Sequence, residues 1–366
     1  MRIDMSTDMP THFIWHDSLE AGTFPEEAYD ALLRRLPERT PFNRLSWLRA
    51  MACHLRPGQT LHVLTVWQDE RMILCLPLLH CRERKAGLPL CVVRHLGWPL
   101  ADRIMLAVEP GQGGTLAAAL PHIRRALPHT LLQLDEIPPA PTSDAGLAAW
   151  RAHSFYGENR LSCLVPEHRL SPEDHDEPKG NLRYLLRRAR KRSLAIGATL
   201  RRARPDAESI DALLARISAV ETASWKGERG VGIFSPGNAE AINAALCALA
   251  AEDRVRAVLL EYEGRCISYR LGFLEQGRLY DYNLAFVPGY ARLGSGRLLL
   301  DEWVRWGLDD GWRWIDASRV SRSHSRHPLH ERMSCQIEHR RWRFYSFRFG
   351  GLAFGVADGL WRSWKH

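Results

Sequence analysis

Between residues 254 and 316 the spacing of apolar positions switches from the period of strands to that of a helix and back. Val255–Tyr262, Cys266–Leu274 and Leu279–Phe286 are apolar runs rich in β-formers, separated by Glu263-Gly264 and Glu275-Gln276-Gly277. Short glycine-bearing breaks between such runs predict hairpins, and hence an antiparallel meander. Apolar residues then stand at 298, 299, 300, 303, 304, 306 and 308, the broad stripe of a buried helix. Gly311 ends that helix, and Trp312–Ala317 reads as a short buried strand. Between meander and helix runs Tyr290-Ala-Arg-Leu-Gly-Ser-Gly-Arg297.

Upstream, amphipathic helices are predicted over Glu20–Leu36 and Phe42–Leu55, and a hairpin from Leu61–Trp67 and Met72–Leu79. Leu90–His95 and Arg103–Val108 read as strands, Thr115–Leu127 as a helix, Leu131–Leu134 as a strand, and the proline-rich 137–143 as a boundary loop. Gly113 to Asp135 repeats the order of Gly294 to Asp316: glycine loop, helix, breaker, apolar strand, aspartate, with the same 22-residue spacing. A duplicated domain is the economical reading. Ser171–Pro178 is acidic and proline-bearing, so it reads as a linker. A basic helix follows over Asn181–Leu194, then a strand (Ala198–Arg204) and an amphipathic helix (Ser209–Trp225). Next come a glycine-rich loop (Lys226–Gly237) and a helix (Ala239–Ala251); after the meander a last strand falls at Gln336–Phe344. The expected organisation is an α/β protein of two tandem domains, each a mostly antiparallel twisted sheet with flanking helices. They are an N-terminal copy at 1–170, a linker at 171–180, a C-terminal copy at 181–346 and an amphipathic tail at 347–366.

Composition narrows the setting. The 366 residues are 45% hydrophobic, with no long uninterrupted apolar run and no secretory signal at the polar N-terminus, so a cytoplasmic location is expected. Eight cysteines form no Cys-x-x-Cys pair and sit mostly in apolar runs, which reads as buried thiols. The net charge is +8, yet Lys179–Arg204 alone carries ten cations and no carboxylate, so the basic character is local. No aromatic interleaving accompanies it, and nucleic acid is not an expected partner on this reading. His324, His327 and His330 lack a helical register, and no metal is expected. Trp361, Arg362, Trp364 and Lys365 in the tail suit a membrane surface, which allows peripheral contact at an inner membrane.

The chemistry centres on the glycine loop. A helix N-terminus leaves backbone N–H groups without helical partners, and Gly294-Ser295-Gly296 lets an anion approach them closely. Arg292 and Arg297 flank it and suit a phosphate. The same glycines would also serve a plain strand-to-helix turn.

Meander, glycine loop, helix and strand together resemble the acyl-CoA site of the GNAT acyltransferases. Glu221-Thr-Ala-Ser-Trp-Lys-Gly227, Ala285-Phe-Val-Pro-Gly-Tyr-Ala-Arg292, the glycine loop and Trp314-Ile-Asp316 resemble the CelD-like, cellulose-biosynthesis-type branch. The resemblance implies direct transfer of an acyl group, acetyl first among them, from coenzyme A to an amine. It puts the thioester between strands 279–286 and 312–317 and implies an acceptor such as an amino-sugar or another envelope or exopolysaccharide precursor. Arg292, Gly294, Ser295, Gly296 and Arg297 would hold the coenzyme. Asp316 and Asp281, on those strands, are the candidate bases, and Tyr290 a proton donor to the leaving thiolate. Trp225 and Lys226 fall on the acceptor side. Two other readings stay open: a FemAB-like transferase, whose basic helix would grip aminoacyl-tRNA, and a non-catalytic scaffold of a polysaccharide machine. The working site is expected in the second copy, with the first as a structural partner.

Overall fold

The computed structural model of the chain describes residues 11–85, 87–319 and 331–363. It divides into two compact units, one made of residues up to Leu161 together with those from Arg340 on, the other of Ser162–His339. In chain order the first stretch carries β1 (Thr11–His16), α1 (Glu26–Arg35), α2 (Leu45–Cys53), β2 (Gln59–Gln68), β3 (Arg71–Lys85), β4 (Leu88–His95), β5 (Ala107–Val108), α3 (Gly113–Ala126), β6 (Leu131–Ile137), α4 (Pro141–Ala152) and β7 (Tyr156–Arg169). The second carries α5 (Gly180–Ala195), β8 (Thr199–Ala203), α6 (Ile210–Thr222), α7 (Trp225–Arg229), α8 (Ala239–Ala251), β9 (Val255–Tyr262), β10 (Arg265–Glu275), β11 (Arg278–Phe286), α9 (Ser295–Asp309) and β12 (Trp314–Asp316). β13 (Cys335–Tyr345) and α10 (Phe349–Ser363) close the chain.

Each unit has a mixed, mostly antiparallel sheet with helices on it. In the first the order is β1-β2-β3-β4-β6-β13, with β5 on β3 and one parallel pair, β4 with β6. In the second it is β7-β12-β11-β10-β9-β8, again with one parallel pair, β11 with β12. The plan is the same: a meander, a helix, a strand returning parallel to the last one, and a further antiparallel strand beside it. The units change inside β7 and β13, whereas composition places the division at 171–180 and 346/347. Local composition carries no trace of a strand that leaves one unit for the other, because its partners lie far away in sequence.

Turn chemistry sets the second meander. Glu263-Gly264 and Gln276-Gly277 close two-residue loops between the pairs Tyr262↔Arg265 and Glu275↔Arg278. All four have positive φ (49°, 74°, 49° and 74°), the type I′ geometry whose twist matches the strands. α9 buries Leu298, Leu299, Leu300, Trp303 and Val304 against Val258, Leu260, Ile267, Leu279 and Ile315. Trp303, Trp306 and Trp312 pack together with ring centroids 5.3–6.0 Å apart. Strand alternation separates the two faces of this sheet. Arg270 reaches the Gly296 carbonyl of α9, while its neighbour Tyr269 reaches Glu221 of α6. α9 and α6 therefore cover opposite faces.

Four local expectations change. The proline-rich 137–143 leads into α4, with Pro141 in the first helical turn, where its missing N–H costs nothing. The strand expected over Arg103–Val108 shrinks to Ala107–Val108, and Arg103 has φ 51°. The stretch 171–180 packs on α9 through a 3₁₀ turn, Pro172–His175, capped reciprocally by Ser171 and Asp174. Of the cysteines, Cys75, Cys81 and Cys163 are buried, but Cys53 and Cys335 are exposed. The tail forms α10, tied to the first unit by Tyr345 Oη donating to Asp358 Oδ2 at 2.7 Å. Its membrane-facing expectation rests on side chains from 361 on, outside the described ones, as do the three histidines of 324–330. Among the described residues, no helix is long and apolar enough to cross a membrane.

Candidate functional site

The parallel ladder between β11 and β12 is three residues long: Arg278↔Trp314, Leu279↔Ile315 and Tyr280↔Asp316. It ends because Ala317 turns away, its N–H donating to Pro166 O of β7 at 2.8 Å. β11 runs on to Phe286, so its Asp281–Phe286 half leaves β12 behind and the two strands splay. On the other side β11 stays paired to β10, but with a bulge. Leu271 faces Asn283 and Gly272 faces Asp281, which leaves Tyr282 as the extra residue. A Cβ on Gly272 would stand 2.8 Å from Tyr280 O, so the close approach here requires glycine.

From Phe286 the chain passes through a 3₁₀ turn, Pro288–Leu293, into α9. Gly294 is the N-cap of α9 with φ +72°, a left-handed conformation suited to glycine. Ser295 is buried and Arg292 exposed, and the Arg292 carbonyl accepts from Arg192 Nη1 at 2.5 Å. Tyr290 is half-buried, its ring 6.0 Å from that of Tyr262. The loop that was expected to hold coenzyme thus sits at the start of a 15-residue helix, directly after the splayed strand.

The two candidate carboxylates occupy different surroundings. Asp281 is fully buried, ion-paired to the fully buried Arg270, and accepts from Trp303 Nε1 at 3.3 Å. It joins β10, β11 and α9, the geometry of a structural ion pair. Asp316 is the last residue of β12, 2% exposed, and accepts from Ser318 N at 3.3 Å. Ile315 packs under α9, so alternation turns Asp316 to the α6 face.

That face holds a polar cluster that periodicity did not single out. Glu221, at the end of α6, is 2% exposed. Its carboxylate accepts from Asn283 Nδ2 at 2.7 Å and from Phe234 N at 2.8 Å, with Tyr269 Oη at 3.5 Å. Asn283 Nδ2 also donates to Tyr269 Oη at 3.0 Å. Lys226 Nζ completes the group, donating to Asn283 Oδ1 and, at 2.8 Å, to Leu284 O, with Glu221 Oε1 3.7 Å away. Leu284 lies on the half of β11 that β12 has left. The ammonium therefore sits in the splay. Burial lowers the Lys226 pKa, and the Glu221 carboxylate opposes that shift. Burial, reinforced by Glu221, raises the Tyr269 phenol well above its ordinary value, so it stays protonated. Two glycines make the turn possible: a Cβ at Gly227 would overlap Thr222 O, and one at Gly232 would overlap the Glu221 carboxylate. Trp225, the other acceptor-side candidate, is half exposed, with Arg229 stacked over its ring at 5.5 Å.

The sequence did carry a signal for this cluster. Asn283 is a polar residue in an otherwise mostly apolar run, and Glu221 follows a residue of the buried stripe. The basic segment takes a different form: Arg183 and Arg187 pair with Glu177, Arg190 with Asp301, Arg202 with Glu302 and Asp309, and Arg204 with Asp253. Much of its charge is matched within the second unit.

A parallel pair that splays beside a glycine-capped helix, after an antiparallel meander, is the plan of the second unit, and it resembles the fold of GNAT proteins. Residues 180–326 match the family model described as an acetyltransferase (GNAT) domain. No curated protein matches the chain in sequence. Among solved structures, it resembles FemX over 88% of this chain and 96% of that one, with TM-score 0.57 and 11% identity. L-PGS from Bacillus licheniformis gives 0.53 and 12%, over 91% and 96%. A tandem GNAT protein from the clavulanic acid biosynthesis pathway gives 0.52 and 14%, over 92% and 98%.

Proposed function

We propose that the second unit transfers an acyl group, acetyl first among the candidates, from coenzyme A to an amine by direct attack. The observation that carries this reading is the splay itself. It opens at Tyr280/Asp316, next to the N-terminus of α9, and receives a partly buried lysine. Gly294–Arg297 would take the pyrophosphate on backbone N–H groups, with Arg292 and Arg297 as counter-charges. Lys226, held by Asn283 and Glu221, would meet the negative charge that develops on the attacked carbonyl oxygen. Asp316, on the same face, would accept the amine's proton, and Tyr290 would return one to the thiolate. Asp281 has no part in this scheme beyond holding β11 to α9. The acceptor class, an amino-sugar or another envelope or exopolysaccharide precursor, follows from the CelD-like resemblance of Glu221–Gly227 and Trp314–Asp316. The whole-chain likeness to FemX favours a second reading, aminoacyl transfer from tRNA.

Calorimetry with acetyl-CoA separates the two. Wild type is expected to bind in the micromolar range at moderate salt, typical of KM values for enzymes. Gly296→Asp, which sets a carboxylate where the pyrophosphate would lie, is expected to abolish binding with the fold intact by circular dichroism. Absence of binding by wild type, together with salt-sensitive binding of charged tRNA, would replace the first reading by the second.

A further inference from the structure

The parallel pair of the first unit opens as well. β4 and β6 pair only at Val92↔Leu131 and Val93↔Leu132, and β4 continues to His95. Where the second unit has a short turn, the first sends residues 96–108 back across the opening. Leu96 N donates to Pro77 O at 2.9 Å, Ile104 N to Glu136 O at 3.2 Å, and β5 pairs with β3. The result is a roofed cavity walled by Phe42, Leu48, Leu78, Leu96, Ile104 and Leu134.

One buried polar side-chain atom of a lining residue has no hydrogen-bond partner within the fold. His95 is 4% exposed, and its Nδ1 faces Leu96 O at 3.1 Å. A carbonyl can only accept, so Nδ1 carries the hydrogen and Nε2 presents a lone pair. Nε2 is buried and without a hydrogen-bond partner. Burial lowers the imidazole pKa, which keeps it neutral. The other polar lining groups are already committed or inert. Asn43 donates to Met105 O at 2.7 Å and accepts from Thr40, and burial keeps the Cys75 thiol protonated. No lining residue is an arginine, lysine or carboxylate.

We propose that the first unit holds a binding site for a small neutral molecule, mostly apolar, with one hydroxyl or N–H donor directed at His95 Nε2, the class of phenols and short-chain alcohols. An anion would find no counter-charge there, and a pure hydrocarbon would leave the imidazole lone pair unmet. The first copy is then a ligand-binding unit and not only a structural partner. The inference stands apart from the acyl-transfer reading, since every residue it uses lies in the other unit.

The test is calorimetric titration of the full chain with phenol, anisole and benzene. Phenol is expected to bind about tenfold more tightly than anisole, the ratio one buried hydrogen bond supports. His95→Leu should bring that ratio to about one, and Ala107→Leu, which fills the cavity, should abolish binding of all three. Should either variant fail to fold, the nitrogen resonance of His95 Nε2 in wild type, moving upfield with phenol and not with benzene, reads the same contact. Phenol that does not bind at millimolar concentration, or binds no better than anisole, overturns the proposal and leaves a hydrated void.

Discussion

Lys226 owes its position to residues that are distant in sequence. Asn283, 57 residues away, and the Leu284 carbonyl accept its hydrogens, and Glu221 sets the local charge. If the ammonium stabilises an oxyanion, Lys226→Met should lower kcat by about 10²–10³, the usual effect of removing one such donor, with little change in KM. Steady-state kinetics with the amine found in an acceptor screen checks this, and Lys226→Arg should recover part of the loss. In the first unit, burial against Arg124 and neighbouring groups lowers the His129 pKa to about 4, from an ordinary 6.5. Between those values the unfolded chain binds the proton and the folded chain does not. The associated stability is present above pH 6.5 and is lost as pH falls through 4. Its size is about 3 kcal/mol, at 1.36 kcal/mol per pKa unit. Urea melts from pH 7 to 4 should show the decline, and His129→Gln should flatten it.

The elements around the site are set by a few backbone requirements. Gly294 starts α9 with a left-handed residue, Gly272 allows the bulge of β11, and Gly227 lets α7 pass close under the end of α6. Gly227→Ala is the sharpest test at this scale. Its Cβ would meet the backbone of Thr222, which has no side-chain freedom with which to yield. The segment must move, and Lys226 with it. Thermal denaturation should show a loss of about 1–3 kcal/mol, the cost of forced overpacking. Activity should fall further than that loss explains, because the lysine leaves the splay. The glycine turns and the period of the α9 stripe were plain in the sequence, since each depends on neighbouring residues alone. The bulge at Tyr282 and the length of the β11/β12 ladder were not: both follow from register, which pairs Leu271 with Asn283 and turns Ala317 toward Pro166.

At the scale of the molecule, two copies of one plan each keep a single parallel pair and use it differently. The second is left open beside a short turn, and the first is roofed by residues 96–108. Each unit also takes a strand from chain that composition assigns elsewhere. β13 returns to pair with β6, placing Trp342 and Phe344 in the first unit's core. A fragment ending at residue 170 should therefore not fold as the sequence-based boundary implies. It would expose the β6 edge with Leu131, Leu132 and Leu134, a template for aggregation. Size-exclusion chromatography should show aggregates of this fragment under conditions where the whole chain is monodisperse.

The sequence alone determined the α/β class, the doubled order of elements, the glycine-capped helix and the choice of the second copy as the acyl-transfer candidate. These rest on periods, turns and caps, whose energies are decided within a few residues. Only the tertiary structure decided that Asp281 is locked to Arg270, that Lys226 lies in the splay with Glu221 and Asn283, and that His95 faces a cavity. It also decided how β7 and β13 are divided between the units. Those outcomes depend on pairing and burial between segments tens to hundreds of residues apart, where no local pattern distinguishes one partner from another.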